Sequence, residues 1–125
     1  MNLNMEYTNF GSHPPINLAS AQLKEVIIKQ FGPKSKSFNF QAFCDYCILP
    51  YLKTNNIGLV LPANTIYKGG LDKGDCARVR EIIWDFIIER YLTIGDYDHD
   101  TWPYFSITER GYVYFNEYKA LAKST

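Results

Sequence analysis

The sequence has no excess of either charge. Its 125 residues include 13 basic and 13 acidic side chains, which gives a formal net charge of zero. Proteins that bind nucleic acid indiscriminately gain most of their affinity when surplus lysine and arginine neutralise phosphates. The balanced composition therefore argues against that class of protein, although it leaves room for a local basic patch.

Long apolar runs are also missing. No stretch approaches the roughly 20 apolar residues that a membrane-spanning helix needs, and residues 1–15 lack the basic and apolar regions of a signal peptide. Three cysteines, an odd number without a secretion signal, fit a reducing compartment. We therefore expect a cytoplasmic protein that has no contact with a membrane.

Sequence features of enzymes are scarce as well. The chain has no nucleophile motif, no phosphate-binding glycine loop and only two histidines, both in predicted loops. Cys44 and Cys47 have the spacing of a metal or redox pair, but they fall on the apolar face of a predicted helix, which favours buried structural thiols. We therefore predict that the protein is not an enzyme and binds no cofactor.

Three aspartates at Asp96, Asp98 and Asp100 resemble the beginning of a calcium-binding loop. The EF-hand pattern then requires glycine at the sixth position and glutamate at the twelfth. Thr101 and Ile107 occupy those positions in this chain. The sequence therefore predicts a solvated acidic turn here and no metal site.

Aromatic side chains, in contrast, are abundant: ten Tyr, eight Phe and two Trp. With 46% hydrophobic residues, the chain is long enough for a single well-filled core. Residues 1–15 are polar and end in Gly11, Pro14 and Pro15, which indicates a mobile tail without a stable element. We predict a single domain over residues 16–125.

Apolar residues at helical spacing predict two helices in the first half of the chain. The first covers residues 17–31, with Asn17 or Ser20 as its N-cap. The second covers residues 40–49 and should kink or end at Pro50, which cannot donate a helical hydrogen bond.

Residues 53–74 have the weakest pattern. Leu59–Leu61 fits either a short strand or a buried anchor, and there is room for a short helix within residues 62–68. A compact helix-turn-helix needs only about three or four residues between its helices. The longer gap here departs from the simplest DNA-binding pattern.

The second half of the chain predicts the order helix, strand, turn, strand, helix. A long helix begins at Asp72 or Asp75 and runs to about Tyr91. Apolar residues cover most of its circumference, which predicts burial on more than one side. Aromatic and β-branched residues then predict strands over residues 91–94 and 102–107, on either side of a polar turn.

Two further helix beginnings are marked by capping residues. Asn39 precedes the second helix, and Thr108 precedes a final helix that is predicted from Glu109 to about Lys123. One face of this final helix is rich in aromatic residues. That face suits either the core of the domain or a contact with a second copy of the chain.

The run Ile107–Gly111, a hydrophobic residue followed by Thr-Glu-Arg-Gly, resembles the signature that often closes the wing of bacterial winged-helix proteins. Residues 80–85, 92–95 and 102–105 also resemble parts of small bacterial winged-helix proteins. The resemblance implies an α+β fold, in which a three-helix core carries a β-hairpin wing and a C-terminal helix. It also implies a short strand at Ser37–Phe38.

The same resemblance implies a DNA-binding or transcription-regulatory function and a homodimer formed through the C-terminal helix. Basic residues lie near the start of the central helix and in a short loop after the first helix. The candidate contacts to double-stranded DNA are Lys34, Lys36, Lys68, Lys73, Arg78 and Arg80. Alternatively, Arg78 pairs with Glu81 or Asp85 along its helix, and the loop lysines are only solvated.

A second hypothesis is a protein-interaction module that uses the winged-helix frame without binding DNA. Zero net charge, the acidic turn and the surplus of aromatic residues favour this hypothesis. The three carboxylates of the turn would repel a phosphate backbone. The candidate contacts to a partner protein are Tyr97, Trp102, Tyr104, Tyr114 and Tyr118.

Overall fold

Helices and short strands alternate along residues 6–123, which are the residues that the computed structural model describes. The helices are α1 (Ser20–Lys29), α2 (Phe40–Phe43), α3 (Leu49–Asn55), α4 (Lys73–Ile88) and α5 (Glu109–Lys123). The strands are β1 (Tyr7–Asn9), β2 (Ser37–Asn39), β3 (Thr65–Tyr67), β4 (Leu92–Ile94) and β5 (Tyr104–Ile107). This mixture confirms the predicted α+β class.

An antiparallel sheet with the strand order β2-β5-β4 combines one strand from the first half of the chain with the hairpin from the second half. The expected short strand after the first helix is confirmed as β2, and the expected hairpin is confirmed as β4 and β5, with slightly later starts. Phe105 of β5 pairs with Phe38 on one side and Ile94 on the other, and it is fully buried. The segment that joins β4 to β5, residues 95–103, is called the hairpin loop below.

Phenylalanine rings form the centre of the core. Phe31, just after α1, packs against Phe43 of α2 and Phe115 of α5, with ring centroids 5.5 and 4.8 Å apart. Phe43 and Phe38 in turn contact Phe105 of the sheet. Full burial of a phenylalanine contributes about 1.5–3 kcal/mol, so this cluster holds helices α1, α2 and α5 against the sheet.

The predicted side-chain caps are present at three helix beginnings. Asn39 accepts a hydrogen bond from the backbone N–H three residues ahead at 3.2 Å, and Thr108 does the same at 2.9 Å. Of the two candidates for α4, Asp72 is the cap, since it accepts the N–H of Asp75 at 3.1 Å. These local contacts explain why α2, α4 and α5 begin where the sequence predicts.

Helix α1 is shorter than predicted, and neither Asn17 nor Ser20 caps it. Its N-cap position is Ala19, which has no side-chain acceptor. Gln22, inside the first turn, reaches back and accepts the backbone N–H of Ala19 at 2.9 Å. This half of a capping box satisfies one free N–H group and lets the helix begin without a polar cap residue.

The second predicted helix does not end at Pro50 but continues past it. A π-helical segment, Cys44–Ile48, joins α2 to α3, and the N–H of Leu49 donates to the carbonyl of Cys44 five residues back. The wider turn gives space to the proline ring, which would otherwise clash with a carbonyl in the preceding turn. The helix then continues to Asn55 and ends at Asn56, whose φ of 54° is left-handed.

The predicted absence of structure in residues 1–15 is wrong over the described part of that stretch. Strand β1 pairs in parallel with β3, and His13 is only 3% exposed. Residues 1–5 lie outside the described residues. The backbone of Gly69 lies so close to Gly11 that a Cβ on Gly69 would stand 2.3 Å from the Gly11 carbonyl oxygen. Glycine at position 69 therefore allows the N-terminal segment to dock.

The segment between α3 and α4 also differs from the prediction. The short helix expected within residues 62–68 is absent, and β3 lies there instead, because β1 supplies its hydrogen-bond partners. Of the two alternatives for Leu59–Leu61, the buried anchor is the observed one. Leu59 is buried in the core, whereas Val60 is exposed and the segment forms no strand.

Candidate functional site

Arg78, a predicted DNA contact, lies in a partly buried set of hydrogen bonds. One guanidinium nitrogen donates to the carbonyl of Leu18 at 2.5 Å, and another lies 3.5 Å from the carboxylate of Asp75. The observed ion-pair partner is therefore neither Glu81 nor Asp85. Arg78 ties α4 to the segment before α1, so its charged group is already engaged within the domain.

Asp75 completes that connection. It is 3% exposed, and its second oxygen accepts the backbone N–H of Ile16 at 2.6 Å. Burial raises the pKa of Asp75, while the hydrogen bond from Ile16 and the charge of Arg78 act in the opposite direction. The first turn of α4 therefore anchors the chain that enters α1.

The other predicted DNA contacts form two separate groups. Lys68 and Lys73 are exposed at the start of α4, and Arg80 is exposed in the middle of that helix. Lys34 and Lys36 are exposed before β2, where the carbonyl of Lys36 accepts the N–H of Ile107 at 2.9 Å. Ile107 is the last residue of β5, so this loop lies at the end of the strand away from the hairpin loop. Lys34 and Lys36 therefore do not form one continuous row with the hairpin loop.

The hairpin loop is an ordered acidic turn. Asp96 accepts the backbone N–H groups of Asp98 at 2.9 Å and His99 at 2.8 Å, and its Oδ1 lies 3.0 Å from the His99 ring. Slight desolvation acts to raise the pKa of Asp96, but these hydrogen bonds outweigh it and hold the pKa below its usual value. The His99 ring stacks on Tyr104 with centroids 3.7 Å apart. Tyr97, at the tip of the loop, is fully exposed.

Two tryptophans connect the hairpin loop to α4. The ring centroids of Trp84 on α4 and Trp102 in the loop are 5.5 Å apart. Trp102 also packs against Phe40 at 5.2 Å and Phe105 at 6.1 Å, which fixes the pair to the core. Trp84 is nevertheless 37% exposed, and Ile88 one turn further is 73% exposed.

Trp84, Trp102 and Ile88 form, together with the neighbouring carboxylates Glu81 and Asp85, what we call the tryptophan face. Positions 81, 84, 85 and 88 share one side of α4 because they are three or four residues apart. Glu81 and Asp85 are exposed, and within residues 6–123 neither has an ion-pair partner. The face is therefore both aromatic and negatively charged.

The expectation that α4 is buried on more than one side is only partly correct. Val79, Ile83 and Phe86 are buried, whereas Trp84 and Ile88 face solvent. The sequence did contain a signal for this exposure, because Trp84 and Ile88 follow Glu81 by three and seven residues, which places both next to the polar stripe on the helical wheel. Prediction from apolar coverage alone missed both exposed residues.

The predicted protein contacts also divide into two groups. Tyr97, Trp102 and Tyr104 lie in or next to the hairpin loop, whereas Tyr114 and Tyr118 lie on α5. Tyr114 stacks on Tyr91 with centroids 4.0 Å apart. It lines a groove of about 530 Å³ between α1, α4 and α5. Trp84 does not line this groove, but Asp85 and Ile88 do, so Tyr114 lies beside the tryptophan face.

The thiols have the environment of structural cysteines. Cys44 is fully buried, and burial, reinforced by neighbouring Cys76, raises the pKa of its thiol far above the usual value. Burial also raises the pKa of Cys47. A thiol that stays protonated is a poor nucleophile and a poor metal ligand. Among the described residues, no group of three or more His, Cys, Asp or Glu side chains could hold a metal ion.

None of the helices within residues 6–123 combines the length and the apolar character that are needed to cross a membrane. The cytoplasmic location stays a prediction.

Comparison with known proteins identified no relatives. No protein-family model matches the chain, and neither a curated protein nor a solved structure is significantly similar to it.

Proposed function

We propose that this chain is a protein-interaction module on a winged-helix frame, with the tryptophan face as its binding surface. The observation that carries the proposal is the exposed Trp84, which is held against Trp102 at the junction of α4 and the hairpin loop. Support for the frame comes from the order of α1, β2, the continuous α2–α3 helix, α4 and the β4–β5 hairpin, which is the order that the resemblance implies.

The arrangement of the two tryptophans suits protein recognition. Tryptophan is among the residues that contribute most to binding energy at protein interfaces. The contacts of Trp102 with Phe40 and Phe105 restrict the pair before a partner arrives, so binding costs little side-chain entropy. Glu81 and Asp85, on the same side of α4 as Trp84, would repel a phosphate backbone. These properties favour a protein partner over DNA on this face.

A variant of Trp84 tests the proposal. A partner would first be identified by cross-linking in extracts of the source cells and then purified. Trp84→Ala should weaken binding of the purified partner by at least about tenfold, as expected for an interface residue of this type. Isothermal titration calorimetry measures the affinity.

Phe10→Ala is the matched control, because Phe10 is an exposed aromatic residue in the N-terminal segment, away from the tryptophan face. That variant should bind normally. A purified partner that binds Trp84→Ala and the unmodified protein equally well would refute this use of the face.

DNA binding is a second candidate function, as a transcription-regulatory protein. A specific observation favours it: Lys68 and Lys73 are exposed at the start of α4, where the helix dipole also attracts phosphate, and Arg80 is exposed further along the same helix. Lys73 and Trp84 are separated by roughly 16 Å along the helix axis. A DNA site at the start of α4 and a protein site near its end are therefore compatible. A homodimer formed through α5 stays a proposal from the resemblance.

A further inference from the structure

We propose that the tryptophan face binds a positively charged segment of its partner protein, with an arginine or lysine side chain lying against Trp84. This inference rests on the proposed protein-interaction function and specifies the chemistry of the partner. Two independent features of the described residues support it: the local excess of carboxylates and the exposed indole surface.

On the side of α4 that carries Trp84 and in the hairpin loop, carboxylates outnumber lysine and arginine side chains. Glu81 and Asp85 are exposed on α4, and Asp98 and Asp100 are exposed in the loop that carries Trp102. Within the described residues, none of these four forms an ion pair. Two cations lie nearby: Arg80, one turn before Trp84 on the same side of α4, and Lys24 of α1, which lines a groove together with Asp85 and Ile88. A local excess of negative charge attracts a basic segment and disfavours an acidic one.

The indole rings add a preference for a particular cation. Tryptophan has the aromatic face that binds cations best, and a guanidinium group can also stack flat against it. Trp84 exposes 37% of its surface while Trp102 supports it from the core side. An arginine side chain could therefore cover the ring of Trp84 while its guanidinium stays within reach of Glu81 or Asp85. Such a contact combines a cation–π interaction with charge-assisted hydrogen bonds.

The composition of the face excludes simpler occupants. Ile88 is its strongly exposed aliphatic residue, so an entirely apolar helix would leave Glu81 and Asp85 desolvated without partners, which is unfavourable. Duplex DNA would bring phosphates close to the same carboxylates. A basic peptide segment satisfies both the rings and the charges.

The test uses the full chain and a fluorescent glycine–serine peptide that carries several arginines. Two matched peptides replace arginine by citrulline, which has a similar shape without the charge, or by glutamate. Fluorescence anisotropy measures the affinities. We expect the arginine peptide to bind at least about tenfold more tightly than the citrulline peptide, and the glutamate peptide not to bind.

Variants then locate the binding site. Trp84→Ala should weaken binding of the arginine peptide by about tenfold or more. The double variant Glu81→Gln with Asp85→Asn changes only exposed side chains, so it keeps the fold, and it should weaken binding and reduce its dependence on salt. Phe10→Ala should bind as the unmodified protein does.

Several results would overturn the inference. These are equal affinity for the arginine and citrulline peptides, or unchanged binding by both the Trp84 and the carboxylate variants. Self-association that Trp84→Ala abolishes would show that a second copy occupies the face. If a purified natural partner needs Trp84 but arginine peptides do not bind, only this inference fails and the proposed function stands. If the natural partner is insensitive to Trp84, the proposed function fails as well.

Discussion

At the scale of single residues, Asp75 and Arg78 differ most from what their sequence positions imply. Both lie in the first turns of α4. At such positions a carboxylate predicts a helix cap and an arginine predicts a DNA contact. In the fold they contact Ile16 and Leu18, which are about 60 positions away in the chain. A local pattern cannot encode such partners, because the contact depends on where α1 packs.

The buried Asp75 predicts a specific pH dependence of stability. Burial raises its pKa in the folded protein above the usual value of 3.8, so the folded state binds the proton more tightly than the unfolded chain. The contribution of Asp75 to the free energy of unfolding is therefore greatest below pH 3.8. It declines as the pH rises through the raised folded-state pKa.

Asp75→Asn removes the charge and keeps an acceptor for the Ile16 N–H. Urea unfolding at a series of pH values measures the free energy of unfolding of both proteins. The stability of the unmodified protein relative to the variant should decrease with increasing pH across that window. Parallel pH profiles would show that burial of Asp75 does not perturb its ionisation.

At the scale of secondary-structure elements, helices were easier to predict than short strands. The caps at Asn39, Asp72 and Thr108 and the bounds of α5 follow from interactions between residues a few positions apart. Strands β1 and β3 each have only three residues. They form because they pair with each other across more than fifty intervening residues. A local pattern of three residues cannot predict that pairing.

The glycine of the winged-helix-like signature has a structural explanation at the same scale. A Cβ on Gly111 would stand 1.9 Å from the carbonyl oxygen of Tyr91. That carbonyl also accepts the N–H of Thr108. The start of α5 can therefore approach the segment between α4 and β4 this closely only because residue 111 has no side chain.

Gly69→Ala tests how the N-terminal segment is attached. The added Cβ would clash with the backbone of Gly11, so we expect β1 to separate from β3. Overcrowding of this kind costs about 1–3 kcal/mol. Hydrogen exchange should show lost protection of the Lys68 amide, which donates to the carbonyl of Asn9 at 2.8 Å.

Gly32→Ala is the control for that experiment, since a Cβ there would meet only the Ser35 hydroxyl at an ordinary 3.5 Å. Its Lys68 amide should stay protected. If Gly69→Ala leaves the protection of Lys68 unchanged, the close approach of Gly69 to Gly11 does not control docking of the segment.

At the scale of the whole molecule, the distribution of charge matters more than its sum. A formal net charge of zero conceals a basic group near the start of α4 and an acidic region formed by the tryptophan face and the hairpin loop. Composition alone could not separate these regions. Their separation along α4 allows two different binding functions on one small domain.

The second candidate function gives a measurable expectation at this scale. If Lys68, Lys73 and Arg80 contact phosphates, binding to mixed-sequence duplex DNA should appear at low ionic strength and weaken steeply with salt. Replacement of Lys73 and Arg80 by alanine should reduce the slope by about two charges, whereas the Lys34 and Lys36 double variant should leave it unchanged. No binding at low salt would remove DNA from the candidate functions.

The sequence by itself determined the α+β class, the hairpin and the caps at Asn39, Asp72 and Thr108, because each depends on periodicity or on hydrogen bonds within a few residues. Only the tertiary structure decided the pairing of β1 with β3, the partners of Asp75 and Arg78, and the exposure of Trp84. These features depend on which distant elements cover a given side chain. Burial is a property of the packed fold, and a helical wheel shows only which residues share a side.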